Sequence, residues 1–94
     1  MRRHKHRPPT PGDILRHDYL EPYAITQSQL AQHIEVDIKV VNRIANGRCR
    51  ITPSVAVKLA YALRTPLDFW LRAQNAIDLY DTEGSMRSYP KALV

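Results

Sequence analysis

Four polar side chains recur at the spacing of one helix face: Lys39, Asn42, Arg43 and Asn46. At about 100° per residue they fall within one arc of roughly 100°. No Asp or Glu occurs anywhere between Ile38 and Arg50. Lysine and arginine can donate to guanine O6 and N7, and asparagine can pair bidentately with adenine N6 and N7. The pattern therefore predicts a helix that reads base edges in the major groove.

A second helix is predicted just upstream, and the three residues Glu35–Asp37 separate the two. Asp37 is a suitable N-cap, and the small Ala31 leaves room for a steep helix crossing. This arrangement is the helix-turn-helix pattern. The alternative is a plain helical hairpin with a solvated polar face. The short turn, the small residue and the acid-free arc favour the helix-turn-helix.

Polar and basic residues on either side of the predicted recognition helix extend this surface. Gln27 and Ser28 begin the preceding helix, where free backbone N–H groups can meet a phosphate. Arg48 and Arg50 follow the recognition helix and can neutralise flanking phosphates, a contribution that weakens with salt. Ile38 lies at the start of the recognition helix, where it can touch a thymine methyl or belong to the core.

Threonine–proline pairs mark the start of further helices at Thr10, Thr52 and Thr65, because the hydroxyl caps a helix whose first residue is proline. Gly47 supplies a C-cap for the recognition helix. The sequence predicts an all-α domain of five helices: Pro11–Leu20, Gln27–Ile34, Ile38–Asn46, Pro53–Leu63 and Pro66–Tyr80. Residues 1–9 are expected to be a disordered basic arm, 10–80 the helix-turn-helix domain and 81–94 a C-terminal tail.

Composition supports one small domain. The 94 residues are 44% hydrophobic and carry a net charge of +5. The single Cys49 excludes an internal disulfide, and no apolar run approaches the roughly 20 residues that span a bilayer. We therefore expect a cytoplasmic protein without membrane contact. Net charge is basic over residues 1–10 and 36–64 and acidic over 11–35, a pattern that indicates separate faces for separate partners. The alternative is solvated charge scattered over the surface.

Four stretches of this chain together resemble the HigA-type antitoxins, a branch of the lambda-repressor-like (XRE) helix-turn-helix proteins. They are Pro11–Pro22, Thr26–Gly47, Ile51–Ala60 and Thr65–Ala76. The resemblance implies a five-helix repressor-like DNA-binding fold and a homodimer that binds operator DNA in its own promoter. It also implies a cognate HigB-like toxin, a small ribonuclease that cuts mRNA on the ribosome. The family's DNA contacts carry over onto Gln27, Lys39, Asn42, Arg43 and Asn46.

The sequence departs from that family at two turn positions where related chains usually have glycine. Ala24 precedes the first motif helix, and Glu35 occupies the tight turn. A left-handed backbone would cost a residue with a side chain about 1 kcal/mol. We therefore expect an adjusted turn geometry at these positions within an intact fold.

The last predicted helix carries two neighbouring apolar stripes. One contains Leu67, Trp70, Leu71 and Ile77, and we assign it to the core of the domain. The second has no obvious partner in so small a protein and is a candidate dimer interface. The alternative is a deeply buried helix with both stripes internal. The second stripe consists of Phe69, Ala73, Ala76 and Tyr80.

An acidic segment at the start of the domain is a candidate surface for a basic toxin. It contains Asp13, Asp18 and Glu21, although Asp13 could equally compensate the helix dipole. Two alternatives to an antitoxin stay open: a phage-type repressor without a toxin, and a protein-interaction module. Cys49 lacks a catalytic base in the sequence, and His4 and His6 are a weak metal pair. We therefore expect neither an enzyme nor a metal or cofactor.

Overall fold

The computed structural model describes residues 6–94, which form five helices and no strand. The all-α prediction is confirmed. Residues 6–9 precede the first helix, and the first five residues of the predicted arm lie outside the described range. The helices are α1 (Pro11–Ile14, continuing as a π-helical segment over Leu15–Leu20), α2 (Gln27–His33), α3 (Ile38–Ala45), α4 (Pro53–Leu63) and α5 (Phe69–Ser85).

The core is centred on Trp70 of α5, whose side chain is 0% exposed. Its ring centroid lies 5.6 Å from that of Tyr19 and 5.1 Å from that of Phe69, the latter edge to face. The buried indole N–H needs a partner, and it donates to the hydroxyl of Thr65 at 3.0 Å. These ring contacts join α1 to α5, and the same core includes buried residues of α3 and α4.

Helix α5 begins three residues later than predicted and ends five residues later. Thr65 was expected to cap a helix starting at Pro66, but its hydroxyl accepts from Trp70, and its N–H donates to Ala60 and closes α4. The predicted core stripe was wrong at Leu67, which is 57% exposed in the turn before the helix. At the other end, the helix continues through Asp81 to Ser85, residues assigned to the tail from sequence.

Four helix ends share one type of C-terminal cap. After each, a residue takes a left-handed backbone: Ala24 (φ 55°), Glu35 (56°), Gly47 (69°) and Arg64 (57°). At the end of α2, the N–H of Val36 donates to Ala31 at 2.9 Å and that of Glu35 to Gln32 at 3.3 Å. These two bonds define the Schellman motif, in which glycine is the usual left-handed residue.

The expectation of an adjusted turn at Ala24 and Glu35 was therefore wrong. Both residues accept the left-handed backbone that the family's glycines would take, at a cost of about 1 kcal/mol each. The reason is that the cap hydrogen bonds and the packing of the following residues determine the turn. Val36 and Ile25, which follow these residues, pack against the core.

Candidate nucleic-acid interface

Helix α3 presents its polar face to solvent. Lys39, Asn42, Arg43 and Asn46 are all exposed, as the periodicity predicts, whereas the opposite face is buried. Ile38 is 41% exposed at the start of the helix, so it can reach a ligand on this surface. The helix thus offers two cations and two amides on one side. The buried residues opposite are Val41, Ile44 and Ala45.

The amide side chains on this face form a hydrogen-bonded row. Asn42 donates through Nδ2 to Oε1 of Gln27 at 3.1 Å, and Asn46 donates through Nδ2 to Oδ1 of Asn42 at 3.3 Å. Each amide has two donor hydrogens and two acceptor lone pairs. Asn42 therefore keeps one of each for a base edge while its orientation is fixed by its neighbours. The row also links α3 to the first residue of α2.

Both ends of α3 are held by specific contacts. At its start, the side chain of Asp37 accepts from the backbone N–H of Lys39 at 2.8 Å. At its end, Arg16 donates through Nε to the carbonyl oxygen of Ala45 at 2.9 Å. Gly12 is buried against the same turn, where a Cβ atom would lie 2.8 Å from that oxygen. The last turn of α3 therefore rests directly on α1.

Asp13 takes part in this support with its side chain 42% exposed, and its candidate toxin contact stays a prediction. It forms a capping box with Thr10, and its carboxylate accepts from Nη2 of Arg16 at 2.8 Å. The backbone N–H of Thr10 is the main cause that lowers the pKa of Asp13 below its usual value, and Arg16 adds to it. Because the folded-state pKa is lowered, the cap is intact at neutral pH. Its stabilisation is lost only as the pH falls through that pKa.

The flanking residues differ in their surroundings. Ser28 and Arg48 are exposed, and Gln27 is half-buried because it lies against Asn42. Arg50 forms an ion pair with Asp78 of α5, with the two side chains 69% and 31% exposed. A phosphate would have to compete with that carboxylate for Arg50.

Sequence reasoning missed the polar side chains of α5 that support the loop after α3. Gln74 is buried. Its Oε1 accepts from the N–H of Ile51 at 3.1 Å, and its Nε2 donates to Asp78 at 3.1 Å. The signal was present in the spacing: Gln74 lies four residues after Trp70 and three before Ile77, on the same helix face. A polar residue in a core stripe predicts a buried hydrogen bond.

Comparison with known proteins decides the family. A helix-turn-helix family model matches residues 17–70. Antitoxin HigA-1 of Vibrio cholerae is 40% identical over 91 residues, covering 97% of this chain and 86% of that protein. The uncharacterized HTH-type transcriptional regulator YbaQ of Escherichia coli is 38% identical over 88 residues, covering 94% and 78% respectively. The chain belongs to the HigA-type helix-turn-helix family.

The solved structures agree with the fold of this HigA-type chain. The structure of Pseudomonas aeruginosa antitoxin HigA with the higBA promoter superposes with a TM-score of 0.81 at 29% identity, covering 84% of this chain and 86% of that one. The chain is therefore a DNA-binding helix-turn-helix protein of an antitoxin family, and this family consists of regulators and not of enzymes. Within residues 6–94, none of its helices combines the length and the apolar character that spanning a bilayer requires.

The candidate dimer residues of the HigA-type chain lie along one flank of α5. Phe69, Ala73 and Tyr80 are half-buried, and Ala76 is exposed. Phe69 also packs on Trp70. Two of the candidate toxin-binding residues are exposed: Asp18 lies on the π-helical segment and Glu21 at its end. The Oε1 atom of Glu21 lies 3.3 Å from Nδ1 of His17.

Proposed function

We propose that this HigA-type protein is the antitoxin of a type II HigBA-like toxin–antitoxin pair. It binds operator DNA in its own promoter as a homodimer, represses its own operon and neutralises a cognate mRNA-cleaving toxin. The exposed, acid-free face of α3 with its preoriented amide row is the observation that carries the DNA part. A relative named antitoxin HigA-1 and a structural neighbour with promoter DNA support the assignment.

The positions of the polar residues on and beside α3 suggest that some contact base edges and others contact phosphates. Asn42 and Arg43 lie at the middle of the face, where they would read base edges in the major groove. Gln27, Ser28 and Arg48 lie at its margins, where they would contact phosphates and fix the register. Pairing two chains along the Phe69–Tyr80 flank of α5 would present two α3 helices. A separation of about 34 Å would place them in successive major grooves of a palindrome.

The DNA part is tested by titrating the native promoter fragment with the full chain at 50 and 200 mM salt. We expect binding at least about 1,000-fold tighter than to a scrambled fragment at equal salt. We also expect the affinity to be lower at 200 mM salt, because the slope of log affinity against log salt grows with the number of phosphates contacted. The scrambled fragment is the control for non-specific attraction to a basic protein. Equal affinity for both fragments would contradict an operator-binding function.

The toxin part is tested by co-expressing the neighbouring small reading frame with this chain and measuring growth and co-purification. We expect growth rescue, and loss of the complex when Asp18→Lys and Glu21→Lys are combined, because these exposed carboxylates face a basic ribonuclease. Asp68→Lys with Glu83→Lys reverses equal charge on α5 and is the matched control. If the Asp18/Glu21 variant retains the complex while still binding the promoter, the toxin docks on another face.

A repressor without a toxin partner is the second candidate. It is favoured by relatives such as YbaQ, which is described only as a transcriptional regulator. The co-expression experiment separates the two candidates. Promoter binding without growth rescue or co-purification would support the plain repressor.

A further inference from the structure

Among the basic residues of the predicted DNA surface, Arg50 forms an ion pair with a carboxylate. Its Nη1 atom lies 2.5 Å from Oδ2 of Asp78 on α5. The arginine side chain is nevertheless 69% exposed, so it lies where a phosphate can approach it. A phosphate can bind Arg50 only if it displaces this carboxylate or shares the guanidinium group with it.

The carboxylate of Asp78 is held in place by a buried side chain. Its other oxygen, Oδ1, accepts from Nε2 of Gln74 at 3.1 Å. Gln74 is 9% exposed, and its Oε1 accepts from the backbone N–H of Ile51 at 3.1 Å. Because Ile51 follows Arg50 in the chain, these contacts form a closed ring through α5. Both oxygens of Asp78 are therefore occupied, and the carboxylate is oriented before any ligand arrives.

This ring makes the Arg50–Asp78 pair stronger than an ordinary surface ion pair. Exposed pairs contribute little to stability, because two flexible side chains must be ordered to form them. Here the bond from Gln74 has already ordered Asp78, whose side chain is only 31% exposed. Partial burial also reduces the screening of the pair by salt. The arginine therefore has a preferred partner inside the protein.

A second carboxylate adds negative charge at the same place. Asp81 lies three residues after Asp78 on α5, and both line a cleft of about 250 Å³ at the C-terminal end of α3. Arg48 and Arg50 line this cleft too, as does Arg7, which pairs with Asp81 at 2.8 Å. A phosphate that approaches the cleft therefore meets two carboxylates as well as the arginines, and like charges repel.

We propose that Asp78 is an autoinhibitory residue that withholds Arg50 from the phosphates of the operator. This inference rests on the proposed operator binding and adds an internal limit to its affinity. The carboxylate neutralises the guanidinium group as a phosphate would, so Arg50 adds little to the attraction between the protein and DNA. Removing the negative charge of Asp78 releases Arg50 to bind a phosphate.

Asp78→Asn tests this proposal and keeps the support of the loop, since the amide oxygen of asparagine can still accept from Gln74. At about 50 mM salt we expect about fivefold tighter binding to the native promoter fragment. The slope of log affinity against log salt should steepen by up to about 0.9 per subunit, the contribution of one phosphate contact.

Asp68→Asn is the matched control. It also separates a carboxylate from an arginine, since Asp68 lies 3.9 Å from Nη1 of Arg72. Asp68 precedes Asp78 by ten residues, which is about 15 Å along a helix. We expect this control to bind the promoter fragment within about twofold of the unmodified chain, with an unchanged salt slope.

A double-mutant cycle with Arg50→Gln isolates the pair. Arg50→Gln should lower promoter affinity about fivefold more in a chain that carries Asp78→Asn than in the unmodified chain. General attraction to DNA cancels in this comparison, because Arg50→Gln removes one positive charge from both chains. Urea titration followed by circular dichroism should confirm that all variants fold.

The autoinhibitory role is overturned if Asp78→Asn binds no more tightly than Asp68→Asn, or if Arg50→Gln has the same effect in both chains. Weaker binding of the Asp78→Asn protein would also overturn it, and would show that the carboxylate positions Arg50 for DNA. If the unmodified chain fails to prefer its promoter over the scrambled fragment, the proposed function fails instead.

Discussion

Replacing Gly12 with alanine is expected to lower the free energy of unfolding by about 3 kcal/mol, because the added methyl group has no space. Its Cβ would overlap the carbonyl oxygen of Ile44 and lie 2.8 and 2.9 Å from the carbonyl oxygen and carbon of Ala45. These atoms belong to the backbone of α3, so no side-chain rotation relieves the overlap. Helix α1 must separate from α3, and the bond from Arg16 to Ala45 is lost with it.

Urea titration followed by circular dichroism measures this loss. Gly47→Ala is the matched control, since the same methyl group meets nothing within 4 Å there and only the left-handed backbone opposes it. We expect that control to lose about 1 kcal/mol. A Gly12→Ala protein as stable as the Gly47→Ala protein would show that α1 and α3 separate freely.

Combining Asn42→Ala with Arg43→Ala is expected to reduce affinity for the native operator at least about 100-fold. Each good bidentate base contact is worth about 1–3 kcal/mol of discrimination. Removing Asn42 also disconnects Gln27 from Asn46, so the remaining amides lose their fixed orientation. Affinity for a scrambled fragment should fall much less, because it depends on phosphate contacts from other residues. Fluorescence anisotropy with both fragments at one salt concentration measures the ratio.

Arg72→Ala combined with Asn75→Ala is the control for this pair. It removes the same two side-chain types from exposed positions on α5 and should leave operator affinity within about threefold. Circular dichroism should confirm that both double variants fold. Unchanged operator affinity of the Asn42/Arg43 variant would exclude DNA recognition through α3, and with it both the antitoxin and the plain repressor hypotheses.

The recognition helix was predictable from sequence because its two faces differ so strongly. Polar residues recur at Lys39, Asn42 and Asn46, and apolar residues at Val41 and Ile44, so one helical period accounts for both sets. Thr52 and Pro53 fixed the start of α4 for a local reason, the hydroxyl cap, which needs no knowledge of tertiary structure. Strong local signals therefore predicted the central helices.

Other features depend on contacts that the local sequence does not contain. Helix α5 starts later than predicted because the Thr65 hydroxyl accepts a hydrogen bond from Trp70, and this tertiary contact outweighs capping. Gly12 looks like an ordinary first-turn residue until α3 lies against it. Asp81 was assigned to a tail, although it belongs to α5 and its carboxylate accepts hydrogen bonds from Arg7, which is 74 residues away. DNA, toxin and dimer contacts of the predicted site residues remain predictions.

The three left-handed residues with side chains have a consequence for how long the protein survives in a cell. Together they raise the free energy of the native state by about 3 kcal/mol; the residues are Ala24, Glu35 and Arg64. Glycine at these positions would remove that strain, but it would also stabilise the unfolded chain by increasing its conformational entropy, which offsets part of the gain. That offset is about 0.4–1 kcal/mol per residue, so the net penalty is about 1 kcal/mol. It multiplies the transiently opened population about fivefold, and proteases cleave that population. These turns therefore set a shorter lifetime than glycine would, without touching any residue that binds a ligand.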